Sequence, residues 1–262
     1  MDALSRPRGL NAFTLKIIAI ASMTLDHLYF YLYKAVPLPI GLRILGRLAA
    51  PIFLYLIAWS FDYTRSRPRF LLRLYLWSAG VELFALAVNA RNPDPPGFPL
   101  DTHISITLFS IVFCLYALRQ AREARKAGKA GCVLLWISAL AALWLFPVYL
   151  PLLLPAGPAA FLRALLPSPF FADGGPALVL FGTGLYFVKD RPWALGVYYS
   201  LYSLLSIRLH GSLQVYMIFA LPLLLSYNRR RGPRLRLFFY LYYPLHAYLL
   251  FELGVLLSRR MG

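Results

Sequence analysis

Residues 131–154 read GCVLLWISALAALWLFPVYLPLLL, without a single charged side chain. Roughly 20 mainly apolar helical residues cross a hydrocarbon core about 30 Å thick, so this run suffices for a transmembrane helix. Similar runs extend outward from it on both sides, at 102–120 and 174–188, 70–90 and 193–207, 40–62 and 211–227, and 13–36 and 235–257. That makes about nine expected spans, the sixth and seventh of them short. None shows the period-2 alternation of outer-membrane strands, so helices rather than a barrel are expected. The expected fold is all-α, a polytopic transmembrane helical bundle forming a single integral-membrane domain over residues 1–262. No internal repeat divides it, and Pro93-Asp94-Pro95-Pro96 and the segment from Pro155 to Pro169 mark turns.

Composition agrees. Of 262 residues, 60% are hydrophobic and 14% charged, against a charged share of about 25% in soluble domains, which excludes a water-soluble fold. The net charge of +17 would suggest nucleic acid in a polar protein, but here it falls between apolar runs. With the N-terminus inside, the even gaps hold Arg65, Arg67, Arg69 and Arg73; Arg119, Arg122, Arg125, Lys126 and Lys129; Lys189 and Arg191; and Arg229, Arg230, Arg231, Arg234 and Arg236. The odd gaps hold Lys34, Arg91 with Asp94 and Asp101, Arg163 with Asp173, and Arg208. Basic residues gather in cytoplasmic loops, so the alternation predicts a cytoplasmic N-terminus and no nucleic-acid partner. Phe161 to Leu166 then reads as an interfacial segment, and Arg259 and Arg260 depart from the pattern. The first run follows Arg6 and Arg8 but contains Asp26 and His27 and has no small-residue cleavage site, so it reads as an uncleaved span. Cys114 and Cys132 make neither a disulfide framework nor a metal pair.

Ionisable side chains inside spans are costly and are functional candidates by default. They are Asp26 and His27 in the first span, Arg43 and Arg47 in the second, Glu82 in the third, Asp101 and His103 at the start of the fourth, His210 and Gln214 around the eighth, and His246 and Glu252 in the last. At 1.5 Å per residue, His27 lies roughly 20 Å along its helix and His246 roughly 16 Å along its own. Both reach from mid-membrane into the outer half, while the arginines line the inner side. Arg43 and Arg47, at i and i+4 on one helix face, suit either an ion pair with Asp26 or Glu82 or a substrate contact. An imidazole at depth needs a partner and can exchange a proton near neutral pH, which favours function for His27 and His246. His103 and His210, nearer the interface, also fit a solvated, hydrogen-bonded ring. No metal is expected, since no His-x-x-x-His pair occurs, and a haem between His27 and His246 has no supporting signature. Phosphate-loop, nucleophile-elbow and dinucleotide motifs do not occur.

Leu15-Lys16-Ile17-Ile18-Ala19-Ile20 followed by Met23-Thr24-Leu25-Asp26-His27 resembles the start of the TraX family of multi-span membrane proteins. Arg43-Ile44-Leu45-Gly46-Arg47-Leu48-Ala49-Ala50-Pro51-Ile52-Phe53 resembles its second span, with Thr64 and Arg73-Leu74 beyond. Leu213-Gln214, Tyr227-Asn228-Arg229-Arg230-Arg231-Gly232, Phe239-Tyr240 and Tyr243-Pro244-Leu245-His246 are similar to its C-terminal pattern. Glu82 and His103-Ile104-Ser105 depart from it.

The resemblance implies acyl transfer, since such proteins are associated with acetylation of conjugative pilin and look like relatives of transmembrane acyltransferases. It implies a multi-pass protein of a prokaryotic inner or plasma membrane, in contact with membrane lipid. The donor would be cytoplasmic acetyl-CoA, and the acceptor a hydroxyl or amine on a glycan, lipid, peptide or pilin. His27 would act as general base or acyl relay, oriented by Asp26 or Glu82, with His246 a second acid/base or a donor to the acceptor. Arg43 and Arg47 would stabilise the oxyanion or hold a CoA phosphate, and Gln214 and His103 would contact substrate. Arg65, Arg69, Arg73, Asn228, Arg229 and Arg230 would bind the polyanionic cofactor, guanidinium being suited to phosphate. The alternative is a transporter or flippase for an anionic lipid or metabolite, with Gly182-Thr183-Gly184, Pro147 and Pro222 breaking helices at mid-membrane. A third reading is a non-catalytic assembly protein whose buried charges are structural.

Overall fold

A computed structural model describes residues 9–92, 99–233 and 235–261. The turn at Pro93 to Pro96, with Asp94, and Arg6, Arg8 and Arg234 lie outside the described residues. Among those described the chain is helical and forms no strand, only one isolated parallel bridge between Leu10 and Tyr227. The helices are α1 (Ala12–Leu32), α2 (Gly41–Gly46), α3 (Ala49–Tyr63), α4 (Arg67–Arg91), α5 (Ile104–Lys126), α6 (Ala130–Leu153), α7 (Ala156–Leu165), α8 (Gly175–Val188), α9 (Pro192–His210), α10 (Leu221–Leu225) and α11 (Arg236–Met261), with 3-10 turns at Pro169–Phe171 and Ser212–Ala220.

Among the described residues, six stretches are long and apolar enough to cross a membrane: Ala12–Leu32, Gly41–Tyr63, Arg67–Arg91, Ile104–Lys126, Ala130–Leu153 and Leu237–Arg260. These correspond to the first five expected spans and the last. The sixth is α8, whose 14 residues reach only about 21 Å. The seventh is α9, which ends on Arg208 and His210. The eighth is the 3-10 segment Ser212–Ala220 running into α10. At about 2.0 Å per 3-10 residue and 1.5 Å per α residue, that stretch reaches roughly 25 Å. A tighter, longer-pitched backbone thus carries 14 mainly apolar residues nearly as far as a regular span.

Local chemistry explains the boundaries. Asn11 caps α1, its Oδ1 accepting from the Thr14 N–H at 2.9 Å. Pro68 and Pro192 occupy the first turns of α4 and α9, where a missing N–H costs nothing. Within the second span, Pro51 has no N–H to give the Arg47 carbonyl, and its ring crowds that carbonyl. The helix therefore stops at Gly46 and restarts at Ala49. By contrast, α6 continues through Pro147 and Pro151, and α8 runs unbroken through Gly182-Thr183-Gly184. Of the breaks the transport reading requires, only Pro222 marks a change of helical form.

The chain divides into two compact units. The first runs through Leu56 and resumes at Val188; it holds α1, α2, α9, α10, α11 and the 3-10 segment. Here α1 packs against α2 and α11, and the 3-10 segment against α2, α9 and α10. The second, Ile57–Phe187, packs α4 and α6 on α5, with α7 against α4 and α6. The segment Phe161 to Leu166, expected to be interfacial, falls largely in the short helix α7. On α6, Leu134, Leu135, Leu152 and Leu153 are 63–81% exposed, a surface suited to lipid rather than water.

Two glycines set how closely α1 is approached. A Cβ on Gly254 of α11 would stand 2.6 Å from the Tyr31 carbonyl oxygen of α1. Gly254→Ala is therefore expected to lower the thermal midpoint in detergent, by about 1–3 kcal/mol of stability. Gly80→Ala is the control, since nothing lies within 4 Å of its Cβ position and alanine favours a helix interior by about 1 kcal/mol.

Candidate functional site

In the first unit, Asp26 of α1 is held by two arginines. Its Oδ2 accepts from Arg43 Nη1 at 3.0 Å, and its Oδ1 from Arg47 Nη2. Arg47 Nη1 also donates to Gln214 Oε1 at 3.0 Å, tying in the 3-10 segment. Positions 43, 46 and 47 share one face of a helical turn, and at the middle one, Gly46, any Cβ would overlap Asp26. The glycine admits the carboxylate against the backbone of α2, and the flanking guanidiniums close on it. Arg43 also lies over the Phe30 ring, 5.4 Å from its centroid. Of the partners considered for Arg43 and Arg47, the structure supplies Asp26.

His27, the next residue on α1, meets His246 of α11: His27 Nδ1 lies 2.9 Å from His246 Nε2. The other nitrogen of His246, Nδ1, is 2.8 Å from the Tyr242 carbonyl oxygen. A carbonyl only accepts, so His246 Nδ1 carries the proton; in the neutral ring Nε2 is then an acceptor. His27 must therefore donate from Nδ1, which leaves the lone pair of His27 Nε2 unprotonated. A second imidazole thus occupies the orienting position considered for Asp26 or Glu82. Its ring is fixed by stacking on Tyr242, with centroids 4.8 Å apart. Tyr242 is fixed in turn: Thr24 Oγ1 donates to the Ile20 carbonyl at 2.9 Å, so the Tyr242 hydroxyl donates to Thr24 at 2.8 Å. Because the ring nitrogens meet directly, a haem iron does not fit between them.

At the start of α1, the loop Tyr227–Gly232 is stitched to the segment before the helix. Leu10 N–H donates to Ser226 O and Asn228 N–H to Leu10 O, both at 2.9 Å, and Ala12 N–H donates to Arg230 O at 2.8 Å. Asn228 Nδ2 donates to Gly9 O at 3.0 Å, and Asn228 Oδ1 accepts from Arg230 N at 3.0 Å. Arg229 is the one non-glycine residue at positive φ among those described, at 61°, and it faces Asp190 across 3.7 Å. Asn228, Arg229 and Arg230 thus gather at the N-terminal end of the helix that carries His27.

In the second unit, Glu82 is buried on α4, where Oε1 accepts from Thr102 Oγ1 at 3.0 Å and Ser105 Oγ at 3.1 Å. Ser78 Oγ donates on to Ser105 Oγ at 3.3 Å. His103 stands with Nε2 3.9 Å from Glu82 and Nδ1 3.1 Å from Asp101. Glu82 and His103 therefore belong to one polar cluster at the start of α5. Arg65, Arg69 and Arg73 are exposed, just before α4 and on its first turns. His210 ends α9, its Nε2 3.3 Å from the Tyr202 hydroxyl.

The sequence pattern described as TraX protein matches residues 12–255, nearly all of α1 to α11. The chain belongs to the TraX family. No curated protein and no solved structure is similar to it. For this TraX-family member the geometry gives the quoted motifs physical content: Arg43-x-x-Gly46-Arg47 is a carboxylate clamp, and Tyr243-Pro244-Leu245-His246 brings the second imidazole to His27. Gly46 and Thr24 stood in the quoted motifs without a role, and Tyr242 was not singled out from the sequence. Tyr242 and His246, at i and i+4 on α11, carried the signal.

Proposed function

We propose that this protein is a membrane-embedded acyltransferase that moves an acetyl group from acetyl-CoA to a hydroxyl or amine acceptor. The observation that carries the reading is the His27–His246 pair, because it leaves a lone pair on His27 Nε2 for the acceptor proton. The acceptor oxygen or nitrogen attacks the thioester carbonyl while His27 takes its proton. The Arg43 and Arg47 guanidiniums, held by Asp26, the residue before His27, would supply positive charge for the tetrahedral oxyanion. Collapse breaks the C–S bond, and the His27 imidazolium returns the proton to the CoA sulfur. His246, holding His27 Nδ1, stabilises the cation formed in between. Asn228, Arg229 and Arg230 suit the nucleotide phosphates, in a cytoplasmic loop by the distribution of basic residues. Arg65, Arg69 and Arg73 add positive charge on that side. The membrane would be the prokaryotic plasma membrane, where acetyl-CoA is available on the inner face.

The test is purified protein in nanodiscs with labelled acetyl-CoA and acceptors comprising a free-amine peptide, a glycan and a phospholipid. Acceptor-dependent release of CoA thiol and acetyl label on one acceptor is the expected result. Absence of both CoA binding and thiol release overturns the reading and favours transport.

A further inference from the structure

Lys16 is the single lysine of α1, one turn inside a helix otherwise uncharged until Asp26. It is half-buried, its ammonium 5.0 Å from the centroid of the Phe239 ring on α11. A lysine near a helix end commonly snorkels to the interface, but the spacing here has a further property. Residues eleven apart on an α-helix differ by only about 20° in direction, three turns apart. Lys16 and His27 therefore lie on one face of α1, about 16 Å apart along its axis. Between them, on the side turned to α11, are Thr24 and its partner Tyr242.

Thirteen covalent bonds separate the inner phosphorus of CoA from its sulfur. At the extension of a polypeptide backbone, roughly 1.2 Å per bond, that arm spans about 15 Å. The two lengths agree. We infer that Lys16 holds the pyrophosphate of an acyl-CoA whose extended arm lies beside the α1–α11 seam and delivers the thioester to His27. The inference rests on the acyltransferase reading and adds to it a phosphate anchor inside the helix. Arg229 and Arg230, at the level of Gly9 to Ala12, are then left for the nucleotide end, which lies farther from the thioester. Asn11, the cap of α1, stands at the level of these arginines, and the positive end of the helix dipole adds to the attraction for anions there.

The experiment compares binding of CoA, 4′-phosphopantetheine and pantetheine to purified wild-type, Lys16→Gln and Lys16→Arg protein by calorimetry. Lys16→Gln is expected to weaken CoA and 4′-phosphopantetheine at least 10-fold and to leave pantetheine within 2-fold, with Lys16→Arg close to wild type. Equal weakening of all three ligands, or no weakening of CoA, overturns the anchor, the first by showing a merely structural lysine. Wild-type protein that binds none of them overturns the acyltransferase reading itself, so the two failures are distinguishable. Circular dichroism and the thermal midpoint of Lys16→Gln establish that the variant is folded.

Discussion

His27→Ala is expected to lower acetyl transfer from acetyl-CoA by about 10²–10⁴-fold, the usual contribution of a positioned general base, with CoA affinity little changed. Thiol release under saturating donor measures it. The partner can be tested through the base it positions. His246→Gln places an amide oxygen where Nε2 accepts from His27 and is expected to keep a substantial part of the rate. His246→Phe keeps the ring stacked on Tyr242 but offers no acceptor, and is expected to lose most of it. The imidazole 15N shifts of His27 supply an independent reading, since wild type should show a proton on Nδ1, and His246→Phe should shift the population towards Nε2–H. A His27→Ala variant with an unchanged rate removes His27 from the mechanism.

Asp26→Ala is expected to destabilise the protein by roughly 2–4 kcal/mol. That is somewhat below the roughly 3–5 kcal/mol for breaking a fully buried pair, because Asp26, Arg43 and Arg47 keep side-chain exposures of 15–27%. The loss arises less from the ion pairs themselves than from two guanidiniums left without their carboxylate. Replacing Asp26, Arg43 and Arg47 together by leucine should therefore recover much of the thermal midpoint. It should not recover acetyl transfer, and that difference separates the structural work of the clamp from its proposed work at the oxyanion. Recovery of both would confine the arginines to structure.

The apolar runs made the helical character legible from composition and period alone, because a run such as residues 131–154 has no alternative in water or in a sheet. They could not reveal how much of the chain departs from regular α geometry. Pro51 breaks the second span, whereas Pro147 and Pro151 leave α6 continuous. A proline's consequence depends on what else satisfies the freed carbonyl, which a single sequence does not state. Asp26, His27, Arg43, Arg47 and His246 stood out because charge and imidazole are costly in hydrocarbon. The ion pair of Arg43 and Arg47 with Asp26 was among the expected partnerships, whereas the direct His27–His246 contact was not: Asp26 and Glu82 were considered for His27, and helix geometry turns Asp26 about 100° from it and sends the two side chains to different helices. The roles of Gly46 and Tyr242 were hidden for the opposite reason. Neither is unusual in a membrane helix, and each matters only through what approaches it.

The nine-residue 3-10 segment Ser212–Ala220 has a mechanical consequence. Runs of that geometry beyond three or four residues are uncommon, and this one is bracketed by Gly211 at φ 92° and by Pro222. Relaxing each residue to α geometry would shorten the segment by about 0.5 Å and turn it back by about 20°. Reckoned from Leu221, Gln214 would rotate by about a third of a turn and be drawn along the axis by roughly 3 Å. Its hydrogen bond to Arg47 cannot survive such a change, so the pitch of one short helix and the occupancy of the arginine clamp are the same degree of freedom.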